Sequence, residues 1–250
     1  MSKVFNALSA YYDLIYQDKD YVGEADYVTK LIHSYRPDFK RMLEFGSGTG
    51  KHAALFCAHG FHVQGVEPSL EMLSIAKNLE HKNLSFQQDS LESYSSDERF
   101  DVAIALFHVV SYINGNEELL SSFRNVNHHL DVGGLFIFDV WYSPAVLTQV
   151  PEKRTKVIEN SQYKVTRLAN PVVHWNKNLV DVVYDIEVVE KINEIRHQFT
   201  ETHHMRHFSI PEIELLAMSS GFELLKAEEF LSSAIPGSDT WGVNFILKKK

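Results

Sequence analysis

Three glycines at alternate positions, Gly46, Gly48 and Gly50, close the run Leu43-Glu44-Phe45-Gly46-Ser47-Gly48-Thr49-Gly50. The run joins an apolar stretch to a helical pattern. Glycine lets backbone come close to a ligand, and the unpaired N–H groups at a helix start favour an anionic group there. A phosphate-binding loop of the ATPase kind needs glycine, four residues, then Gly-Lys-Ser/Thr. Counting back from Gly50-Lys51 puts Phe45 where that glycine belongs, and His52 replaces the magnesium-binding hydroxyl. That reading fails twice. A dinucleotide fingerprint needs Gly-x-Gly-x-x-Gly, and here the third glycine falls one residue early, which weakens the reading without removing it.

A third ligand fits the same loop. The carboxylate and amino group of S-adenosylmethionine can lie against backbone 46–50. Glu67 ends the apolar run Val63-Gln64-Gly65-Val66, where a carboxylate can accept hydrogen bonds from both ribose hydroxyls, as the equivalent acid does in dinucleotide folds. Asp89 follows Ser85-Phe86-Gln87-Gln88 at the height where adenine would lie. A lone surface acid is usually just solvated. Two acids and a glycine loop, each at the end of a successive strand, point together to the carboxyl edge of a sheet.

The elements that must hold these residues alternate along the chain. Strands are expected at 41–45, 62–66, 84–87, 101–105 and 135–138, and helices at 51–58, 69–78 and 117–129. Such repetition implies parallel strands with right-handed crossovers, a Rossmann-like doubly wound α/β sheet. Residues 11–35 carry tyrosines and aliphatics at helical spacing, giving a helical cap over 1–38. After Pro144 the pattern becomes β-rich, with strands expected at 156–168, 174–189 and 196–207 as an inserted antiparallel layer over 146–207. A helix capped by Ser209 runs to Gly221, and strands at 223–227 and 243–247 close one domain spanning 1–250.

Composition narrows the partners. A chain of 250 residues, 44% hydrophobic and 23% charged, reads as an ordinary globular protein. Its formal net charge of −9 argues against nucleic acid, and Lys248-Lys249-Lys250 reads as a solubilising tail. No apolar run reaches membrane-spanning length, and Met1-Ser2-Lys3-Val4-Phe5-Asn6 lacks a signal-peptide pattern. With Cys57 the sole cysteine, a cytoplasmic setting is expected. Thirteen histidines are scattered without ligand spacing, so no metal is expected. The expected partner is a small molecule, with a homodimer left open.

The motif set resembles class I S-adenosylmethionine-dependent methyltransferases. The resemblance rests on Glu44-x-Gly46-x-Gly48-x-Gly50, the acid Glu67, Asp89-Ser90, Phe100-Asp101 and Leu130-Asp131-Val132-Gly133-Gly134. It covers roughly 41–139 and implies S-adenosylmethionine held by Tyr12, Tyr16, Glu44, Gly46, Ser47, Gly48, Glu67, Pro68, Met72, Asp89, Ser90, Leu106 and Phe107. A narrower likeness is to N,N-dimethyltransferases of nucleotide-linked 3-amino sugars, through Tyr12-Asp13-Leu14-Ile15-Tyr16, Lys19-Asp20-Tyr21, Asp139-x-Trp141-Tyr142-x-Pro144 and Glu201-x-His203. Two departures stand out: Trp241 where those enzymes carry an arginine in the last hairpin, and Tyr112 where they carry a histidine.

Methyl transfer is an in-line displacement in which the enzyme mainly aligns the reactants. An amine acceptor needs only to be unprotonated, whereas a hydroxyl needs a base. The catalytic candidates are His108, Tyr112, Asp139 and His203. His108 could take a proton, or simply start a helix. Tyr112 could orient the acceptor or pack under its loop. Asp139 could hold the acceptor or cap the turn before Pro144. Of the tyrosines, one of Tyr12 and Tyr16 is expected to face the sulfonium and the other to pack. Strand alternation puts His203 and Arg206 on opposite faces, with His203 assigned to the site and Arg206 to an ion pair. The competing readings are O-methylation, a nicotinamide-dependent oxidoreductase and a cofactor-binding protein without catalysis.

Overall fold

In the computed structural model, which describes residues 9–250, two helices come first, Ser9–Ile15 (α1) and Tyr21–Tyr35 (α2). The N-terminal residues read for a signal pattern, and the start of the expected cap, lie outside the described residues. There follow Arg41–Phe45 (β1), Lys51–Ala58 (α3), His62–Val66 (β2), Leu70–Ala76 (α4), Leu84–Gln87 (β3), Phe100–Ala105 (β4), Asn116–His129 (α5) and Leu130–Tyr142 (β5). The remainder comprises Ser143–Thr148 (α6), Arg154–Glu159 (β6), Tyr163–His174 (β7), Leu179–Glu190 (β8), Arg196–Phe208 (β9), Ile210–Ser219 (α7), Phe222–Glu229 (β10) and Gly242–Lys249 (β11).

Strands β3, β2, β1, β4 and β5 pair in that order and all run parallel. Strand β11 lies antiparallel on β5, with β10 outside it. The order reverses between β1 and β4, and such a reversal opens a crevice at the carboxyl ends of the strands. The end of β5 also pairs in parallel with β9, through Trp141 with His207 and Tyr142 with Phe208. From β9 an antiparallel run continues through β8 and β7 to β6. The mixed α/β sheet with an added antiparallel layer is therefore the fold the sequence implied.

Both faces of the sheet are covered because β5 alternates strictly. Phe136, Phe138 and Val140 pack with Phe123 and Val126 of α5 and Ile213 and Ala217 of α7. Leu135 and Ile137 face the other way, toward Ala25, Val28 and Ile32 of α2 and Phe56 of α3. Each such burial contributes about 1.5–3 kcal/mol.

Several expected boundaries move, each for a local reason. The strand expected at 156–168 is a hairpin, because Asn160 Oδ1 accepts from the N–H groups of Gln162 and Tyr163 and turns the chain. The strand expected from 174 starts at Leu179, after a turn in which Asn178 takes a left-handed φ of 51°. The strand expected at 135–138 begins at Leu130 and absorbs Gly133-Gly134, so Asp139 sits inside it and does not cap its end. Ser209 precedes α7 but its side chain makes no capping bond. Helix α4 stops at Ala76 and passes into a tighter turn over Lys77–Leu79.

Candidate active site

The glycine loop leaves β1 at the order reversal and packs against the turn after β4. Gly46 has a φ of 66°, and a Cβ there would stand 2.4 Å from Val109 Cγ2, so packing and backbone both require glycine. Gly48, at a φ of 56°, faces open space, where a Cβ would meet only Met72 Sδ at 3.9 Å. Across the crevice Phe107 and His108 both take left-handed φ values, 65° and 64°. Two successive non-glycine residues in that region store strain at the switch point.

Glu67 grips the loop. Its two carboxylate oxygens accept from Gly48 N–H and Ser69 N–H, each at 2.8 Å, tying the loop to the start of α4. Burial raises its pKa and these two N–H groups pull partly back. Each oxygen keeps a second lone pair that can face ribose hydroxyls. Behind it Glu44 is 2% exposed, and burial, then the nearby Glu67, pushes its carboxyl up to about 8. Glu44 Oε2 and Ser47 Oγ are buried with no hydrogen-bond partner among the described residues. Orphaned acceptors beside open space at Gly48 fit the amino-acid end of S-adenosylmethionine. Asp89 is half-buried and accepts from Ser90 N–H at 2.9 Å and from Ser93 Oγ, a turn-capping arrangement at the end of β3. Pro68 is exposed between Glu67 and Ser69, and Met72 is buried beneath the loop. The Leu106 side chain is buried in the core.

Helix α1 lies over the loop: Asp13 takes Thr49 Oγ1 at 3.1 Å and Lys51 Nζ at 3.0 Å. The Tyr12 and Tyr16 rings are 4.7 Å apart, and Tyr16 meets Phe107 edge-on at 5.1 Å. Both tyrosines thus reach the crevice. Sequence reading missed Lys19, whose ammonium sits 4.3 Å above the Phe107 ring and pairs with Glu24. Glu24 also holds His52 Nε2 at 2.8 Å. The spacing Lys19-Asp20-Tyr21 was the available signal.

Two histidine–carboxylate units lie beyond the loop, one at the ends of β4 and β5 and one on the inserted layer. Asp139 Oδ2 lies 2.7 Å from His108 Nδ1, off the line of an ideal ring N–H donation, and its Oδ1 accepts from His108 N–H at 3.3 Å. Burial opposes ionisation of Asp139, but His108 and the more distant Lys19 outweigh it and hold the carboxyl below its ordinary range. On the inserted layer, His203 Nδ1 is 2.7 Å from the Tyr112 hydroxyl, and its Nε2 is 3.5 Å from Glu201 Oε2. Burial, then neighbouring Tyr16, raises the Tyr112 pKa well above its usual value, so the phenol stays protonated. Glu201 was legible only as part of a motif; its location two residues from His203 on one strand face gives it this partner.

The other histidines of that strand turn elsewhere: His204 pairs with Asp181 at 2.5 Å, and His207 Nδ1 lies 2.8 Å from Ser143 Oγ. Arg206 faces away from His203 and binds Glu212 at 2.6 Å and Asn114 O at 3.1 Å. Between β5, the β10–β11 hairpin and the inserted strands opens a cavity of about 420 Å³ whose lining includes Trp141, Tyr184 and Trp241. Trp141 lies 6.3 Å, ring to ring, from His108, and Tyr184 lies 4.9 Å from His203.

A methyltransferase-domain family model matches residues 23–227, and the chain belongs to that family. The chain is 24% identical over 98% of its length and 97% of the relative's to Bacillus subtilis YqeM, named as a methyltransferase. It is 25% identical, over 85% of itself and 89% of the relative, to the dTDP-3-amino-3,4,6-trideoxy-alpha-D-glucopyranose N,N-dimethyltransferase of Streptomyces venezuelae. A solved S-adenosylmethionine-dependent methyltransferase from Clostridium acetobutylicum superposes with a TM-score of 0.80 at 22% identity, covering 96% of each chain. The chain is a methyltransferase, and S-adenosylmethionine is its cofactor.

Proposed function

We propose that the chain methylates a basic nitrogen of a small-molecule acceptor, an amino sugar, within one domain whose N-terminal helices cover the cofactor. The observation that carries this reading is the cavity wall: its lining residues Trp141 and Tyr184 make ring contacts with His108 and His203, so each histidine–carboxylate unit stands directly behind the wall of one acceptor-sized space. Relatives named as amino-sugar N,N-dimethyltransferases support the nitrogen and the sugar.

The bound cofactor supplies an electrophilic methyl on a sulfonium. Gly46, Ser47, Gly48 and Glu44 hold its amino-acid end, Glu67 its ribose, and Asp89 and Ser90 the rim of the adenine site. Pro68, Met72, Leu106 and Phe107 shape the walls, while Tyr12 and Tyr16 cover the reacting centre. His108, with Nδ1 turned to Asp139, takes the acceptor's ammonium proton at Nε2 and leaves a neutral amine. Tyr112 stays protonated, so it positions the acceptor by hydrogen bonding and does not act as a base. His203 and Glu201 fix that phenol. Such alignment contributes several kcal/mol.

The test is mass spectrometry of an acceptor panel, including nucleotide-linked and free amino sugars, incubated with enzyme and methyl-deuterated cofactor. A labelled methyl on nitrogen is expected. Label on oxygen, with amines untouched, overturns the reading.

A further inference from the structure

The turn that carries His108 and Tyr112 is held at its start, its middle and its end. Asp139 of β5 fixes the start by accepting from His108 N–H at 3.3 Å. In the middle, the Tyr112 hydroxyl lies 2.7 Å from Nδ1 of His203 on β9. The end is held by Arg206 of the same strand. Arg206 Nη1 donates to Asn114 O at 3.1 Å and to Asn116 Oδ1 at 2.8 Å, where Asn116 opens α5. Strand alternation turns His203 and Arg206 to opposite faces, so one strand grips the turn from both sides.

The guanidinium is itself fixed. Its Nη2 donates to Glu212 Oε1 of α7 at 2.6 Å, and it lies 5.1 Å from the centre of the Phe208 ring. The strand is fastened beside it: His207 and Phe208 pair with Trp141 and Tyr142 of β5, and Ser143 Oγ lies 2.8 Å from His207 Nδ1. An ion pair kept for stability alone explains less. Arg206 is 9% exposed, and its Nε is buried with no hydrogen-bond partner among the described residues. An unsatisfied buried donor costs free energy, and apolar residues in place of a buried ion pair are often neutral or stabilising. What the planar fork provides, and an apolar side chain or a lysine does not, is a set spacing between Asn114 O, Asn116 and Glu212.

We infer that Arg206 is a positioning residue for methyl transfer: it fixes the end of the turn, and through it the place where the Tyr112 hydroxyl meets the acceptor. This rests on the reading above in which Tyr112 orients the acceptor. It gives the ion pair expected from the sequence a part in the reaction. Arg206 acts at a distance, from the strand face opposite His203. A displacement of about 1 Å in an aligning group costs on the order of a hundredfold in rate, so a loosened turn is felt at the reacting atoms.

The test is a double-variant cycle on the full-length protein, with Arg206→Lys, Tyr112→Phe and both together. Kinetics use S-adenosylmethionine and the compound of the acceptor panel that takes the methyl. Arg206→Lys keeps a charge beside Glu212 and loses the fork. It is expected to lower kcat/KM about tenfold to a hundredfold, mainly through the acceptor KM, with S-adenosylhomocysteine affinity unchanged. In the Tyr112→Phe background the same change is expected to cost less than about threefold, because the hydroxyl it positions is gone. A second readout needs no acceptor: nitrogen-15 spectra of the imidazoles in histidine-labelled protein saturated with S-adenosylhomocysteine. Arg206→Lys is expected to move the His203 signals toward those of Tyr112→Phe and to leave those of His52 and His129 in place. If Arg206→Lys fails to fold, Asn116→Ala and Glu212→Gln, each removing one contact of the guanidinium, take its place in the cycle with losses of about threefold to tenfold. Equal losses in both backgrounds, or His203 signals that stay where they are, overturn the inference and leave Arg206 a structural residue. A methyl on oxygen with a coupled cycle overturns the amine reading and leaves the role of Arg206 standing. A methyl on nitrogen with an uncoupled cycle does the reverse.

Discussion

At the scale of residues, the two imidazoles proposed for the site, His108 and His203, differ in what holds them. The carboxylate behind His108 is fully buried, kept ionised, in close contact with the ring and hydrogen-bonded to the backbone of the same residue. His203 touches its carboxylate only at 3.5 Å and turns its other nitrogen to a phenol that cannot ionise near neutrality. For an amine acceptor, neither is an obligatory base. His108→Ala and His203→Ala are each expected to lower kcat/KM by about 10²–10⁴, and neither to abolish turnover, the range of one proton-transfer group. His203→Ala should act mainly through KM, because it loosens Tyr112. Steady-state kinetics on the acceptor found by the panel will show the split. Complete loss in a folded His108→Ala enzyme would falsify the amine mechanism and make His108 an essential base. Glu67 belongs to the same scale. Glu67→Ala removes both ribose acceptors and the clamp on Gly48 N–H, so it should weaken S-adenosylhomocysteine by about 1–3 kcal/mol in calorimetry.

At the scale of elements, the loop after β1 and the turn after β4 are fitted to one another through Gly46. Gly46→Ala is expected to destabilise by about 1–3 kcal/mol, part from the left-handed backbone and part from the clash with Val109. Adding Val109→Ala should restore only the steric part. Denaturant melts of the two single variants and the double variant separate the terms, and strictly additive losses would show that the contact is not what requires glycine. The parallel half of the fold was legible in the sequence because its signals are local: the glycine loop, Glu67 and Asp89 each sit at a strand end. The boundaries of β1, α3, β2 and β3 were readable for the same reason. The inserted layer was less legible. The expected strand 156–168 passes over the polar run Glu159-Asn160-Ser161-Gln162, a turn signal, and the side-chain bonds of Asn160 close the hairpin there. Arg167 could not be placed in the cavity wall until β6 and β7 were separate strands. Lys19 and Glu201 were hidden differently: their partners Phe107 and His203 lie across a helix cap and a strand face, so sequence shows the residues but not the contact.

At the scale of the whole molecule, an acidic chain buries two further carboxyls, Glu44 and Glu67, beside its ligand loop, and this makes stability depend on pH. The Glu44 carboxyl is raised from 4.5 to about 8, by burial first and by Glu67 second. Between those values the folded protein keeps a proton that the unfolded chain has released. The stabilisation is therefore complete below about pH 4.5 and is lost as pH climbs through about 8. Glu67, also raised by burial, acts in the same sense, and the remaining groups act outside this window or in the opposite sense. Asp139, held low, matters only in acid, and buried His129 and His207, whose pKa values are lowered by burial, favour the fold as pH rises toward their ordinary value. Comparing wild type with Glu44→Gln from about pH 5 to 9 isolates the effect. The variant is neutral throughout, so its advantage in Tm should grow with pH and level off above about pH 8, reaching on the order of a few kcal/mol. A ligand ammonium beside Glu44 favours the ionised carboxylate, so saturating S-adenosylhomocysteine should flatten the wild-type decline and leave the variant unchanged in shape. Parallel curves for the two proteins across the window would show that Glu44 ionises freely in the fold. The orphaned acceptor at the loop would then no longer support its contact with the cofactor's amino group.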